Sequence, residues 1–169
     1  TNEASEEIIM SESLPFLPRP TLLDQTMAGD VGFDPFNFAG VDAEKLYTRR
    51  EAEVKHGRIA MLAALGWPLS ELLDKPIAHV FNLPAVLGHG DKVPSLLNGG
   101  LETISPLYWA TVLALAGGLE AWSMSKAASP LAGDYGFDPF GFYPKDDAGQ
   151  ARMQLAEIKN GRLAMMAIT

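Results

Sequence analysis

Two apolar stretches in this chain follow directly on clusters of charges. IAMLAALGW at 59–67 comes after EVKHGR at 53–58, and LAMMAIT at 163–169 comes after EIKNGR at 157–162. Between them lies LYWATVLALAGGLEAWSM at 107–124, interrupted by one ionisable residue, Glu120. The pattern predicts three helices. The first is expected over 44–73, with Asp42 near its cap, Pro68 placed to kink it and Pro76 just beyond its end. The second spans 105–126, where Ser105 can cap and Pro106 suits the first helical position. The third starts near Asp147, which with Gln150 resembles a capping box, and it is still running where the sequence stops at Thr169. LPFLPRP keeps residues 1–28 extended, and the Gly-, Pro- and Asn-rich residues 74–104 form a long loop. The middle stretch makes ~27 Å of helix at about 1.5 Å per residue, close to a bilayer's hydrocarbon thickness. The other two have short apolar runs, so hydropathy alone also fits the core helices of a soluble bundle.

A repeat shifts the balance. GDVGFDPFNF at 29–38 returns as GDYGFDPFGF at 133–142, 104 residues later. Glu53, Lys55, Gly57, Arg58, Ala60 and Met61 return at the same offset as Glu157, Lys159, Gly161, Arg162, Ala164 and Met165. Two separated blocks held to one ungapped spacing mark a duplicated unit of turn, polar helix start and apolar helix. With a single helix between the copies, both repeat helices run the same way through a layer. A crossed pair with pseudo-twofold symmetry, beside a third helix, is the expected architecture.

The duplication also answers the charge problem. On a helix, Glu53 and His56 lie about 60° apart, whereas Glu53 and Arg58 lie about 140° apart and do not face each other. If the copies cross, Glu53 can meet Arg162 and Glu157 can meet Arg58. Four charges, each costing several kcal/mol alone in hydrocarbon, would then be neutralised in pairs. Gly57, Ala60 and Ala64 on one helix, with Gly161, Ala164 and Ala167 on the other, would allow close approach. His56 and Asn160 occupy the same repeat position, and imidazole nitrogen and amide oxygen share one capability, that of a neutral ligand.

Composition narrows the class. Thirteen Lys and Arg against 21 Asp and Glu give a formal charge of −8, which argues against sequence-independent nucleic-acid binding. Without cysteine there is no disulfide and no thiolate metal site, and the redox compartment stays open. TNEASEEI at the start lacks a basic stretch leading into an apolar one, so either the protein is cytosolic or a targeting segment has been removed. Lys45, Arg49, Arg50, Lys126, Lys145 and Arg152 fall on the side where helices one and three begin. The opposite loop sets Lys75 and Lys92 against Asp74, Asp91 and Glu102. By the positive-inside tendency the first side, with the N-terminus, faces the non-translocated compartment.

The GD-x-GFDP turns, ExxHGR, ExxNGR and the WA…E of the middle helix resemble the chlorophyll-binding light-harvesting antenna superfamily, three-helix membrane proteins of plastids. The likeness covers nearly the whole chain. The FDPF turns, GWPLSELL and VPSLLNGGL are more similar to the red-lineage fucoxanthin or chlorophyll a/c antennae than to the green-plant branch. The resemblance implies an all-α membrane protein with three transmembrane helices, the first and third a crossed pseudo-twofold pair, in one domain over 1–169. Its parts would be an N-terminal stromal segment (1–43), helix one (44–73), a lumenal loop (74–104), helix two (105–126), a stromal loop (127–146) and a truncated helix three (147–169). Glu53, His56, Glu120, Glu157 and Asn160 would be axial ligands to chlorophyll magnesium, with Arg58 and Arg162 as structural ion-pair partners. Phe33, Asp34, Pro35, Phe137, Asp138 and Pro139 would contact carotenoid ends. Where green antennae carry a Gln eight residues before the middle-helix Glu, this chain has Val112, and the later third-helix ligand would fall beyond Thr169. The implied cofactors are chlorophyll a, chlorophyll c and carotenoids of fucoxanthin or another xanthophyll type. The implied partners are a photosystem core (photosystem I favoured), neighbouring antenna subunits and thylakoid lipids, with no nucleic acid and no enzymatic step. The location implied is the plastid thylakoid membrane with a stromal N-terminus, and the function is light harvesting with excitation transfer.

Each assignment has a plainer counterpart. Glu53 and Glu157 could be ion pairs only, His56 a core histidine, and Glu120 a residue at the membrane edge. His79 and His89 are expected in the loop as surface histidines. A photoprotective member that dissipates excitation would use the same ligands. Glu53-x-x-His56 has the spacing of helical di-iron carboxylate proteins. Against that, Asn160 replaces the second His, and an Arg after each motif would oppose two metal cations.

Overall fold

The computed structural model describes residues 9–82, 84–87, 90, 92–95, 99–126 and 131–169. The chain is all-helical: among the described residues there are three α-helices, α1 (Ala43–Phe81), α2 (Pro106–Lys126) and α3 (Asp147–Ile168). The 3-10 turn Leu101–Thr103 precedes α2, and β structure among the described residues is limited to two isolated bridges.

Asp42 caps α1 as expected, its side chain accepting from the backbone N–H of Glu44 and Lys45. The far end differs. α1 runs through Pro68 and Pro76 to Phe81 and closes on Asn82 in the left-handed conformation, φ 52°. Two carboxylates near this end hold the segment that follows. Asp74 Oδ2 accepts from Val86 N at 3.0 Å and Leu87 N at 3.4 Å, and Glu71 Oε1 accepts from Val93 N at 3.2 Å. The segment after the helix thus folds back onto its last turns and satisfies its own backbone there. The long loop begins after Asn82, not at residue 74, and His79 is a helical residue of the final turn. His89 lies outside the described residues.

The cap of α3 is Asp146, whose carboxylate accepts from Gly149 N at 2.8 Å; Asp147 is already the first helical residue. Gln150 Nε2 donates to Pro144 O at 3.0 Å instead of completing a capping box. Ser105 Oγ accepts from Leu107 N at 3.3 Å at the head of α2, in line with the sequence. Residues 9–28 form no helix, but they fold into turns instead of extending. Ser11 N donates to Leu17 O at 3.0 Å, Arg19 N donates to Ile9 O at 2.8 Å, and Arg19 pairs with Asp30 at 3.1 Å.

Among the described residues the one extensive helix–helix contact is α1 against α3. Val54, Gly57 and Ala60 are buried on α1, facing Ile158, Gly161 and Ala164 on α3. These are matched positions of the two repeats. A Cβ at either Gly57 or Gly161 would stand 3.1 Å from the other's Cα, so the backbones touch. Close packing stops there: Ala64 is half-buried and Ala167 is exposed, so Ala167 takes no part. No described helix is long and apolar enough to cross a membrane. Nevertheless large apolar side chains face outward along all three helices, among them Leu62, Leu113 and Met166, each more than 70% exposed. No large side chain in the described residues is fully buried.

The backbone contact predicts a sharp contrast between glycines. Gly57→Val should lower stability by about 1–3 kcal/mol, the usual cost of overpacking. Gly66→Ala, where nothing lies within 4 Å, should leave stability unchanged or slightly raised. Thermal melts of the refolded variants would read this, and equal melts would remove the contact.

Candidate functional site

Two arginines organise the crossing, each by the same pair of bonds. Arg58 Nε donates to Glu157 Oε1 at 2.7 Å, and its Nη1 to the carbonyl of Gly133 at 2.7 Å. Arg162 Nε donates to Glu53 Oε1 at 2.8 Å, and its Nη1 to the carbonyl of Gly29 at 2.8 Å. The cross-helix pairing expected from the repeat is therefore present. The second bond of each Arg was not anticipated: it ties the guanidinium to the turn that precedes the opposite helix. Both glycines adopt the left-handed backbone, φ 75° at Gly29 and 81° at Gly133. A side chain there would also collide. A Cβ on Gly133 would lie 2.7 Å from Val54 Cγ1, and one on Gly29 would lie 3.0 Å from Ile158 Cγ2. Helix, glutamate and turn of one copy are thus held by one residue of the other.

The symmetry is incomplete. Arg50 Nη1 donates to Glu53 Oε2 at 2.7 Å, so Glu53 has two arginine partners and both oxygens engaged. Arg50 also reaches the carbonyl of Ala28. The equivalent of Arg50 is Gln154, which instead donates to the Tyr143 hydroxyl at 2.8 Å. The sequence marks Arg50 only as a charge of the N-terminal side. Its i,i+3 spacing to Glu53 was the available signal.

His56 and Asn160 are exposed and are tethered alike. His56 Nδ1 lies 2.7 Å from Ala52 O, and Asn160 Nδ2 donates to Ala156 O at 2.8 Å. A carbonyl only accepts, so Nδ1 carries the proton and neutral imidazole keeps Nε2 as an acceptor. The amide likewise keeps Oδ1. In each copy the i−4 carbonyl fixes the donor atom and leaves one ligand atom directed outward, as the hydrogen bond to the other ring nitrogen orients a metal-bound imidazole. Amide and carboxylate oxygens suit a hard divalent cation such as magnesium, and a neutral imidazole nitrogen adds an uncharged donor of broader metal preference. Among the described residues no three His, Asp or Glu side chains converge on a common point. Single donors fit a magnesium whose other ligands come from a macrocycle; they do not fit the ligand set a di-iron centre requires.

Glu120 on α2 is half-exposed, and Lys55 Nζ reaches its Oε1 at 2.6 Å. That pairing joins residues 65 apart and was not foreseen. The two FDPF turns are copies of each other. Asp34 accepts from Phe38 N at 2.7 Å and Ala39 N at 2.6 Å, and Asp138 accepts from Phe142 N and Tyr143 N, both at 2.9 Å. Those two N–H groups hold the Asp138 carboxyl below the usual carboxylate range. With each Asp closing its turn around Pro35 or Pro139, Phe33 and Phe137 stand exposed. The Phe137 ring meets Trp122 of α2 edge-on at 6.1 Å.

The chain matches the family model described as Chlorophyll A-B binding protein over residues 19–169. It is 33% identical over 162 residues to light-harvesting complex stress-related protein 1 of Chlamydomonas reinhardtii, covering 88% of this chain and 61% of that protein. To the fucoxanthin-chlorophyll a-c binding protein of Isochrysis galbana it is 35% identical over 154 residues, covering 80% and 67%. To chlorophyll a-b binding protein 6A of Solanum lycopersicum it is 34% identical over 183 aligned positions, covering 99% and 68%. Against the three stress-related relatives the alignments take in only 55–61% of their length. A family match along nearly the whole chain, on a duplicated turn-and-helix frame locked by reciprocal Glu–Arg pairs, places this sequence: it belongs to the chlorophyll a-b binding protein family.

Proposed function

We propose that this chain holds chlorophylls and carotenoids around the α1–α3 crossing as a photosynthetic antenna, feeding excitation energy to a photosystem. The observation that carries this is the matched tether of His56 and Asn160, which leaves one neutral ligand atom outward in each copy. Glu53 and Glu157, neutralised across the crossing, would each give a carboxylate oxygen to a further magnesium, and Glu120 would do so on α2. When bound, the pigments supply light absorption and excitation transfer, and the protein makes or breaks no bond.

The chain's own contribution is distance and orientation. The arginine clamps fix both glutamates relative to both turns. The rigid FDPF turns, with Phe33, Asp34 and Pro35 in one copy and Phe137, Asp138 and Pro139 in the other, would seat carotenoid ends. Outward Leu62, Leu113, Leu119, Leu163 and Met166 support burial of the helices in lipid and pigment, and hence a transmembrane arrangement. The charge asymmetry supports a thylakoid membrane orientation with a stromal N-terminus. Relatives named chloroplastic support the plastid, and the Isochrysis relative supports chlorophyll c and a fucoxanthin-type carotenoid. The partners in this reading are a photosystem core, taken as photosystem I, neighbouring antenna subunits and thylakoid lipids.

A second reading, energy dissipation, is favoured by the similarity to stress-related proteins. The excited-state lifetime of the isolated pigment–protein separates them: a long lifetime fits harvesting, a strongly shortened one fits dissipation.

Two substitutions test the ligand assignment. His56→Leu should remove about one chlorophyll per protein in refolding with pigments, while helicity persists; unchanged pigment stoichiometry would refute the role. Arg58→Leu should disturb the pigment at Glu157 at least as much as that at Glu53, because Arg58 bonds Glu157 and the turn before α3. Loss confined to Glu53 would contradict the crossed assignment.

A further inference from the structure

Glu120 poses a problem that Glu53 and Glu157 do not. It sits on the apolar α2, and its helical neighbours at i±3 and i±4 are Gly117, Ala116, Ser123 and Met124, none of them basic. Its counter-charge comes from another helix. Lys55 Nζ lies 2.6 Å from Glu120 Oε1 and 3.0 Å from Glu51 Oε1, one cation between two carboxylates. Tyr135, from the turn before α3, donates its hydroxyl to Glu51 at 2.9 Å, and its ring centre lies 5.8 Å from Lys55 Nζ. Lys55 is thus held by α1, α2 and the second FDPF turn together. It engages only Oε1 of Glu120; no hydrogen bond to Oε2 is found among the described residues.

This cluster is not inherited from the duplication. The repeat equivalent of Lys55 is Lys159, which makes no ion pair among the described residues, and the equivalent of Glu51 is Leu155. A device present in one copy only is what a single middle helix requires.

We propose that Lys55 is the positioning residue of a pigment site at Glu120: it supplies the positive charge that Glu120 shares with Glu51, holds the carboxylate by Oε1 and leaves Oε2 to ligate magnesium. This rests on Glu120 being a ligand, as read above. Without Lys55, the Glu51 and Glu120 carboxylates face each other unbridged, and repulsion turns Glu120 away.

The test is refolding of the full chain with chlorophylls and carotenoids, followed by pigment count and circular dichroism, for E120L, K55Q, K55R and K55Q/E120Q. E120L and K55Q should each lose about one chlorophyll per protein, with the helical signal of the unsubstituted chain retained. K55R should keep the full complement. K55Q/E120Q should regain the pigment, because the introduced amide offers a ligand oxygen with no charge to compensate. If E120L loses nothing, Glu120 is not a ligand and the proposal goes with that reading. Should E120L lose a chlorophyll while K55Q does not, the ligand stands and the role of Lys55 is overturned. A K55Q loss that the double variant fails to restore would likewise overturn the charge role, leaving Lys55 as a packing group.

Discussion

The structure depends on the reciprocal exchange of arginines across the α1–α3 crossing. Each guanidinium spends one nitrogen on the partner helix's glutamate and another on the carbonyl of the turn before that helix. Half-buried charges are tolerable in apolar surroundings only when compensated, and removing one partner would strand the other. The exchange in turn requires the helices to be very close. Gly57 against Gly161 meets that requirement, with Val54 and Ile158 filling the space beside Gly133 and Gly29.

From this one arrangement the rest follows. Because turn and helix are locked together, each FDPF segment is presented at a set place relative to the crossing. Because each glutamate already has an arginine partner, a ligand role would leave no uncompensated carboxylate in an apolar layer. His56 and Asn160, one turn beyond, need no charge partner and are oriented by backbone carbonyls alone. The molecule keeps little conventional core. Its apolar side chains point outward, where lipid and pigment would complete it, and α2 is joined to α1 through a charged side chain and to the second FDPF turn through an aromatic contact.

Much of this was legible from the offset of 104 residues, since a duplicated unit carries its contacts in duplicate. The Glu–Arg partners, the glycine contact, the resemblance and the head of α2 could all be read before any coordinates. The structure departs from the sequence pattern where the repeat or a distant contact outweighs a local rule. Asp146 stands 104 residues after the cap Asp42, so the repeat itself pointed to the cap of α3. α1 runs past Pro68 and Pro76, where the local rule for proline predicts a stop, and Asp74 and Glu71 then hold a later segment against its end. Arg50 and Lys55 looked like charges without a specific partner. Their partners emerge only once the helix face and the neighbouring helix are known.

The reciprocal clamp is tested most directly by a double-mutant cycle on Arg58→Met and Glu157→Gln, read as thermal stability of the refolded protein. A direct bond predicts a coupling of about 0.5–3 kcal/mol for this pair and near zero for the same cycle on Arg58 and Glu53. Additive effects at Arg58 and Glu157, or equal coupling of Arg58 to Glu53, would contradict the crossed pairing that ties each helix to the opposite turn.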